Sequence, residues 1–515
     1  MTDQPRAPHW ARYALIHFLA LALLAGWLWQ RNRPQALPDV PAASARLQCV
    51  SYAPYYRPGE SPLQPDFKVS RERIDADLER LAKISDCVRL YSVNQGLDQV
   101  PQLAARHHLK VLVGAWIGGD AAKNDVELTR AIALANEHRD VVRGLIVGNE
   151  VLLRREQTPE AMLAYLERAQ RETTVPVTYA DVWEFWLRNA SLAQHVDFVT
   201  VHILPYWEDE PQPIGQAVAH VAAVMQRVQA ELGKPLLIGE TGWPSAGKQR
   251  DGSRPGVIEQ ARYLREFLLA AQAHGWQYNV IEAFDQPWKR LLEGTVGGYW
   301  GLLDVDGRSK FAWSGALAER ADGALPLIAG AAGLILGVLI ALAARVRGSG
   351  ALAAYALSGM LAGVIAPLQF EYLTLACRSG IEWAALGAVA LAGWSGWALL
   401  PFAVDGRLTR PMSVAQRVLL FGLAFSGLVL AVDGRYRDFP FLLFLLPAVQ
   451  FGAAYWARLN LMPRLPETRL FAAIALVGSA VAWLSDWRNP QALAWFALSA
   501  VLAGGLLRRP NDANP

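Results

Sequence analysis

The chain has 515 residues, of which 53% are hydrophobic and 18% charged, with a formal net charge of +3. That length leaves room for about two to four domains, and the apolar excess is too large for an ordinary soluble protein. The near-neutral balance carries no nucleic-acid signal, and no Lys/Arg run, zinc-ligand spacing or phosphate-cradling loop is present, so nucleic-acid, nucleotide and metal functions are set aside.

The chain opens with a mildly basic stretch, Met1 to Arg12, and an apolar run from about Tyr13 to Trp29. Small residues do not follow this run closely enough for a cleavable signal, so residues 1–30 read as an uncleaved anchor. Residues 31–45 are rich in Pro and Ala and read as a linker. Residues 46–322 have the composition of a soluble α/β domain, and 323–509 that of a multi-span membrane domain with a short tail, 510–515. Its apolar runs are 325–346, 351–375, 383–404, 417–432, 439–457, 470–486 and 491–507, each long enough to cross about 30 Å of hydrocarbon as a helix. With the anchor they make eight spans.

A cytoplasmic N-terminus puts Arg345, Arg347, Arg407, Arg410, Arg417, Arg458, Arg464, Arg469, Arg508 and Arg509 in inner loops. Only Arg378, Arg435, Arg437 and Arg488 fall in the outer loops between the later spans. This distribution follows the positive-inside rule and places 31–324 outside, in the periplasm of a diderm bacterium, although Arg31 and Arg33 run against it. Glu371 lies inside one span and needs a partner, a cavity or an interfacial position there.

Within 46–322, short β-rich runs alternate with helical patterns. The strand candidates are Leu47–Tyr52, Cys87–Tyr91, Lys110–Trp116, Gly144–Gly148, Val175–Tyr179, Phe198–His202, Pro235–Gly239 and Tyr278–Ala283. Ser70 is placed to cap a helix carrying Ile74, Leu78 and Leu81. Thr158-Pro159-Glu160 starts another, and Gly233 and Gly275 end two more. Eight strand–helix units in this length predict an α/β (β/α)8 TIM barrel, with its site at the C-terminal ends of the strands. Three cysteines are too few for a disulfide framework. Cys49 and Cys87, near the starts of two neighbouring strands, are expected to be buried free thiols.

The predicted strand ends carry aromatic residues: Tyr52, Tyr91, Trp116, Tyr179, Tyr206, Trp243, Phe284 and Trp288. An aromatic mouth suits sugar rings, whose C–H faces stack while their hydroxyls seek polar partners. Two carboxylates follow apolar strands, Glu150 after Asn149 and Glu240 before Thr-Gly-Trp-Pro-Ser. A carboxyl pair about 5 Å apart performs glycosidic cleavage with retention. Glu150 is the expected acid/base, its pKa raised by apolar surroundings, and Glu240 the nucleophile, aided by a hydrogen bond from Tyr206. Asn149 is positioned for a sugar 2-hydroxyl.

Gly148-Asn149-Glu150, Gly239-Glu240-Thr241-Gly242-Trp243-Pro244-Ser245, Arg89-Leu90-Tyr91 and the eighth-strand segment Glu282 to Lys289 together resemble glycoside hydrolase family 17 over residues 47–315. The resemblance implies a β-1,3-glucan substrate, retention, no metal or other cofactor, Glu150 as acid/base and Glu240 as nucleophile. It adds Lys289 to the expected substrate contacts Tyr52, Tyr91, Asn149, Tyr206, Trp243, Phe284 and Trp288. Gln286 departs from it, since the family commonly has Glu there. The membrane region makes the chain more similar to bacterial membrane-bound members that build β-1,3/β-1,6 glucans. That similarity implies transglycosylation, a lipid bilayer as surroundings and a glucan synthase as partner. Hydrolysis by an endo-β-1,3-glucanase and a non-catalytic glucan-binding or export role are the alternatives. A sugar-nucleotide synthase is disfavoured: no Gln-x-x-Arg-Trp segment is present, and Asp304-Val305-Asp306 reads as a turn.

Overall fold

The computed structural model describes residues 9–42, 44–459 and 466–507. The chain divides into two compact units, Gln35–Leu317 and the combination of Met1–Pro34 with Ala318–Pro515.

The first unit is built on eight strands: β1 (Val50–Ser51), β2 (Cys87–Arg89), β3 (Lys110–Ala115), β4 (Val142–Asn149), β5 (Val177–Val182), β6 (Val199–His202), β7 (Leu236–Glu240) and β8 (Gln277–Tyr278). They pair in sequence order, every neighbour parallel. Val50 also bridges Val280, just past β8, and Ser51 N–H donates to the Val280 carbonyl at 3.0 Å, so the sheet curls closed into a TIM-type barrel. All eight predicted strands are present, but those at the seam are shorter than their apolar runs. Only two residues of β1 and of β8 keep a continuous ladder where the sheet closes.

Helices return the chain between strands, as parallel pairing requires. The Ser70 side chain accepts from Arg73 N–H and caps helix Arg71–Leu81, which buries Ile74, Leu78 and Leu81. The Thr158 side chain caps Pro159–Glu172 in the same way. Gly233 and Gly275 end their helices in the left-handed conformation, at φ of 62° and 68°. Residues 35–42 of the segment read as a linker lie along this unit: Gln35 bridges Leu317, and Val40 N–H donates to the Trp313 carbonyl.

Cys49 and Cys87 are joined in a disulfide, contrary to the free thiols expected. The parallel register of β1 with β2 sets Val50 opposite Val88, bringing the two preceding cysteines side by side. Run length and composition carry no information about that register. Cys377 is a buried free thiol.

The second unit contains the helices Trp10–Asn32, Leu325–Ala343, Ser349–Ala376, Gly380–Val404, Thr409–Asp433, Phe441–Trp456, Pro466–Ser485 and Pro490–Leu507. Every apolar run read as a span is a helix. Six are long and apolar enough to cross a membrane, while Phe441–Trp456 and the last helix are shorter apolar helices. Buried polar groups link them: Tyr13 donates to Gln450 at 2.5 Å, and Gln369 donates to the Leu442 carbonyl at 2.8 Å. Glu371 is paired, receiving two hydrogen bonds from Arg320 at 2.9 and 2.5 Å. The predicted inner-loop residues Arg464, Arg508 and Arg509, and the stretch Met1–Pro8, lie outside the described residues.

Candidate active site

Glu150 follows the last residue of β4, and Glu240 is the last residue of β7. Chain direction in a parallel barrel brings both to one rim. His202, the last residue of β6, stands between them. Its Nδ1 is 3.1 Å from one Glu150 oxygen and its Nε2 3.7 Å from one Glu240 oxygen. One polar atom from each of these three groups lies within 4.8 Å of the other two, so the two carboxyl groups face a common space.

Local backbone sets these positions. Gly148 has a φ of +82°, and a Cβ there would come within 2.7 Å of Val151. Glu150 itself has a φ of +52°, sparsely populated by non-glycine residues, and its N–H is tied to the Ala180 carbonyl at 2.8 Å. Leu152 N–H donates to the Tyr179 hydroxyl, and Tyr179 in turn donates to Asp181. Gly239 precedes Glu240: a Cβ there would sit 2.3 Å from Thr200 and 3.0 Å from the His202 ring. A side chain at 239 would therefore clash with the Thr200 methyl and crowd the His202 ring.

The two carboxylates have different surroundings. Glu240 is nearly enclosed, with 7% of its side chain exposed, whereas Glu150 keeps 24%. Arg89, from the end of β2, donates to a Glu240 oxygen at 2.8 Å and to the Gly239 carbonyl at 2.9 Å. Its other terminal nitrogen donates to Asn149 Oδ1, so Arg89 joins the two site strands. Tyr91 donates to the same Glu240 oxygen at 2.9 Å and lies under the Arg89 guanidinium, 4.5 Å from its ring centre. Burial by itself would raise the Glu240 pKa. The charges of His202, Arg89 and Lys289 and the Tyr91 hydrogen bond outweigh it and hold the carboxyl below its ordinary value.

Further acids stand behind the pair. Glu282 is fully buried, and burial pushes its pKa up to about 7 against the opposing pull of Lys289, which donates to both its oxygens at 3.0 and 3.1 Å. Burial also raises Glu293, and the charges of Glu150 and Glu240 add to that rise. Asp181 is pushed up to about 6, mainly by burial, with Glu150 contributing.

The expected hydrogen bond from Tyr206 to Glu240 is replaced by the one from Tyr91; the Tyr206 hydroxyl donates to the Lys248 carbonyl. Four expected sugar contacts lie in the packed wall. Tyr52, Tyr206, Trp243 and Phe284 are at most 1% exposed. Tyr52 donates to Asp77, Trp243 to the Arg254 carbonyl, and Phe284 stacks on Tyr56. Strand-end position alone does not distinguish a ring facing the mouth from one turned into the barrel. Tyr91, Trp116, Trp288 and Lys289 retain exposed surface, Trp116 the most, with Arg154 stacked 4.3 Å over it.

Sequence reasoning overlooked His202, Asp181 and Glu293 as site residues. His202 carried a signal, being the last polar residue of a predicted strand. Asp181 lay just past the predicted end of β5, and Glu293 lies in a helix after β8, which no strand-end rule reaches. Gln286 is explained by its contacts: its amide donates to the Ala53 and Phe284 carbonyls, and its oxygen accepts from Trp288. A carboxylate could not donate to those carbonyls. Asp304 accepts from the backbone N–H of Asp306 and Arg308, so the Asp-x-Asp segment is a turn.

One imidazole and two carboxylates are also groups a cation could use. Arg89 and Lys289 act as positive charges on Glu240, however, and would oppose one.

Residues 49–301 match the family described as BtgE/BtgC glycoside hydrolase domain. Among curated relatives, the btgC protein of Aspergillus niger is 26% identical over 290 residues, covering 50% of this chain and 41% of its own length. The glucan endo-1,3-beta-glucosidase btgC of Emericella nidulans is 23% identical over 268 residues, covering 46% and 41%. The chain thus spans about two-fifths of the length of these relatives. A solved β-1,3-glucanosyltransferase of Rhizomucor miehei, an active-site mutant with laminaritriose, has a TM-score of 0.47 and 23% identity, covering 54% of this chain and 100% of that one. Residues 49–301 are thus similar to the BtgE/BtgC glycoside hydrolase domain, and Glu150, His202 and Glu240 all fall within the matched stretch.

Proposed function

We propose that the protein is a membrane-anchored, retaining β-1,3-glucan-active enzyme that transfers glucan chains. The observation that carries this reading is the Glu150–Glu240 pair, with one oxygen of each within 4.8 Å of the other on one barrel rim. Glu240, surrounded by positive charge, attacks the anomeric carbon as its glycosidic C–O bond breaks. Glu150, the more open of the two, gives its proton to the leaving oxygen. In the second step Glu150 takes the proton of an incoming hydroxyl, whose oxygen displaces Glu240 from the anomeric carbon. A sugar hydroxyl there elongates or branches glucan, forming β-1,3 or β-1,6 linkages, and a glucan synthase upstream would supply the chain. Water there gives hydrolysis, the second reading, which similarity to the glucan endo-1,3-beta-glucosidase of Emericella nidulans favours.

The apolar helices are proposed to hold the enzyme in a bacterial cytoplasmic membrane, with the barrel on the periplasmic side. The excess of Arg in alternate loops supports this orientation. So does the Cys49–Cys87 disulfide, a bond typical of oxidising compartments.

The test is incubation of the full-length protein, in detergent, with laminari-oligosaccharides, followed by linkage analysis. Products longer than the substrate, or carrying β-1,6 linkages, support transfer. Shorter sugars alone would establish hydrolysis. Activity persisting in Glu240→Gln would overturn the two-glutamate mechanism.

A further inference from the structure

In the unit that holds the apolar helices, the loop after Leu325–Ala343, the end of Gly380–Val404 and the start of Trp10–Asn32 line a cavity of about 500 Å³. Three guanidinium groups face it, those of Arg345, Arg347 and Arg407, with a single carboxylate, Asp405. Asp405 is 3.5 Å from Arg407, which also donates to the Ala344 carbonyl. Arg345 and Arg347 have no carboxylate within ion-pair distance among the described residues. Arg345 adopts a φ of +61°, with its N–H bound to the Leu342 carbonyl, so its side chain starts from a fixed point. The rest of the wall is apolar, with Trp10, Pro401 and Val404 prominent. Trp10 packs on Tyr355, whose buried hydroxyl has no hydrogen-bond partner.

Among the described residues, three exposed guanidiniums meet one carboxylate, which leaves a net positive charge beside an apolar wall. We propose that this pocket binds the phosphate headgroup of an anionic phospholipid: the guanidiniums take the phosphate, and the apolar wall takes the first carbons of the acyl chains. Guanidinium groups bind phosphate oxygens by charge-assisted, often paired hydrogen bonds, and basic pockets at helix ends are typical headgroup sites. A free phosphate ion would use the arginines but leave Trp10, Pro401 and Val404 facing water, which favours the lipid. The inference rests on the membrane reading above and adds a ligand to it.

The experiment uses full-length protein reconstituted in vesicles of phosphatidylcholine, alone or mixed with phosphatidylglycerol. Flotation with either vesicle reports the membrane reading. Native mass spectrometry of the re-extracted protein reports the site. Phosphatidylglycerol is expected to remain bound in preference to phosphatidylcholine and to resist excess inorganic phosphate. In Arg345→Gln/Arg347→Gln its affinity is expected to fall about 30-fold, from two cationic contacts, with an unchanged melting temperature showing that the variant is folded. Flotation without phosphatidylglycerol preference, retention by the double variant equal to the parent, or displacement by inorganic phosphate would each overturn the site alone. Failure to float with either vesicle would overturn the membrane reading and the site with it. Should the double variant not fold, Arg347→Gln alone provides the same comparison.

Discussion

At the scale of single residues, the site separates two chemically identical groups by surroundings. Glu240 is enclosed by Arg89, Tyr91 and His202, while Glu150 is more open. If Glu240 is the nucleophile, as proposed, Glu240→Gln is expected to lower kcat by roughly 10⁴-fold or more. Glu150→Gln should slow laminari-oligosaccharide turnover by about 10²–10⁴-fold. Its effect on an aryl β-glucoside with an acidic phenol should be far smaller, because that leaving group departs without a proton; comparing kcat on the two substrates checks the assignment. Gly239→Ala should clash with the Thr200 methyl and crowd the His202 ring, costing about 1–3 kcal/mol of stability by overpacking, together with a loss of kcat. Denaturant unfolding and steady-state assays would show both. Buried acids also set a pH dependence. Asp181 and Glu282 are pushed up to about 6 and about 7, chiefly by burial. Between about pH 4 and 7 the folded chain therefore holds more protons at these sites than the unfolded chain does, and their contribution to stability falls as pH rises. Asp181→Asn should flatten the lower part of that fall in a melting-temperature series.

At the scale of elements, the barrel seam is the point of least redundancy. β1 and β8 are each two residues long, and Val50 and Val280 close the ladder between them. The Cys49–Cys87 bond ties β1 to β2 beside this seam across a separation of 38 residues. Replacing both cysteines with Ala is expected to destabilise the barrel by roughly 2–4 kcal/mol through the loss of a loop constraint. Thermal unfolding of the double variant, read beside the parent with and without reductant, would check it. The helices were legible because caps and terminators are local: Ser70, Thr158, Gly233 and Gly275 act through their own backbone neighbours.

At the scale of the whole molecule, one chain combines a barrel with a set of apolar helices, and the helix unit shows how charge is accommodated there. Arg320 engages Glu371 through both terminal nitrogens and also binds Asp322, while Asn32 donates to Asp322. Arg320→Ala should leave Glu371 without this partner and lower the stability of the unit by about 1 kcal/mol, the upper end for an accessible ion pair. Melting in detergent would measure it.

By itself, the sequence determined the strand order, the helix ends, the apolar runs and the pair Glu150 and Glu240. These features depend on local periodicity, turn chemistry and chain direction, all contained within a few tens of residues. Only the tertiary structure decided what surrounds that pair. Arg89 and Tyr91 reach Glu240 across about 150 positions of chain, and His202 reaches Glu150 across 52. Barrel closure and strand register set those meetings. The same register joins Cys49 to Cys87, and side-chain packing turns Tyr52, Tyr206, Trp243 and Phe284 into the wall. Contacts between distant segments are selected by how the sheet curls as a whole, and no local pattern encodes that curvature residue by residue.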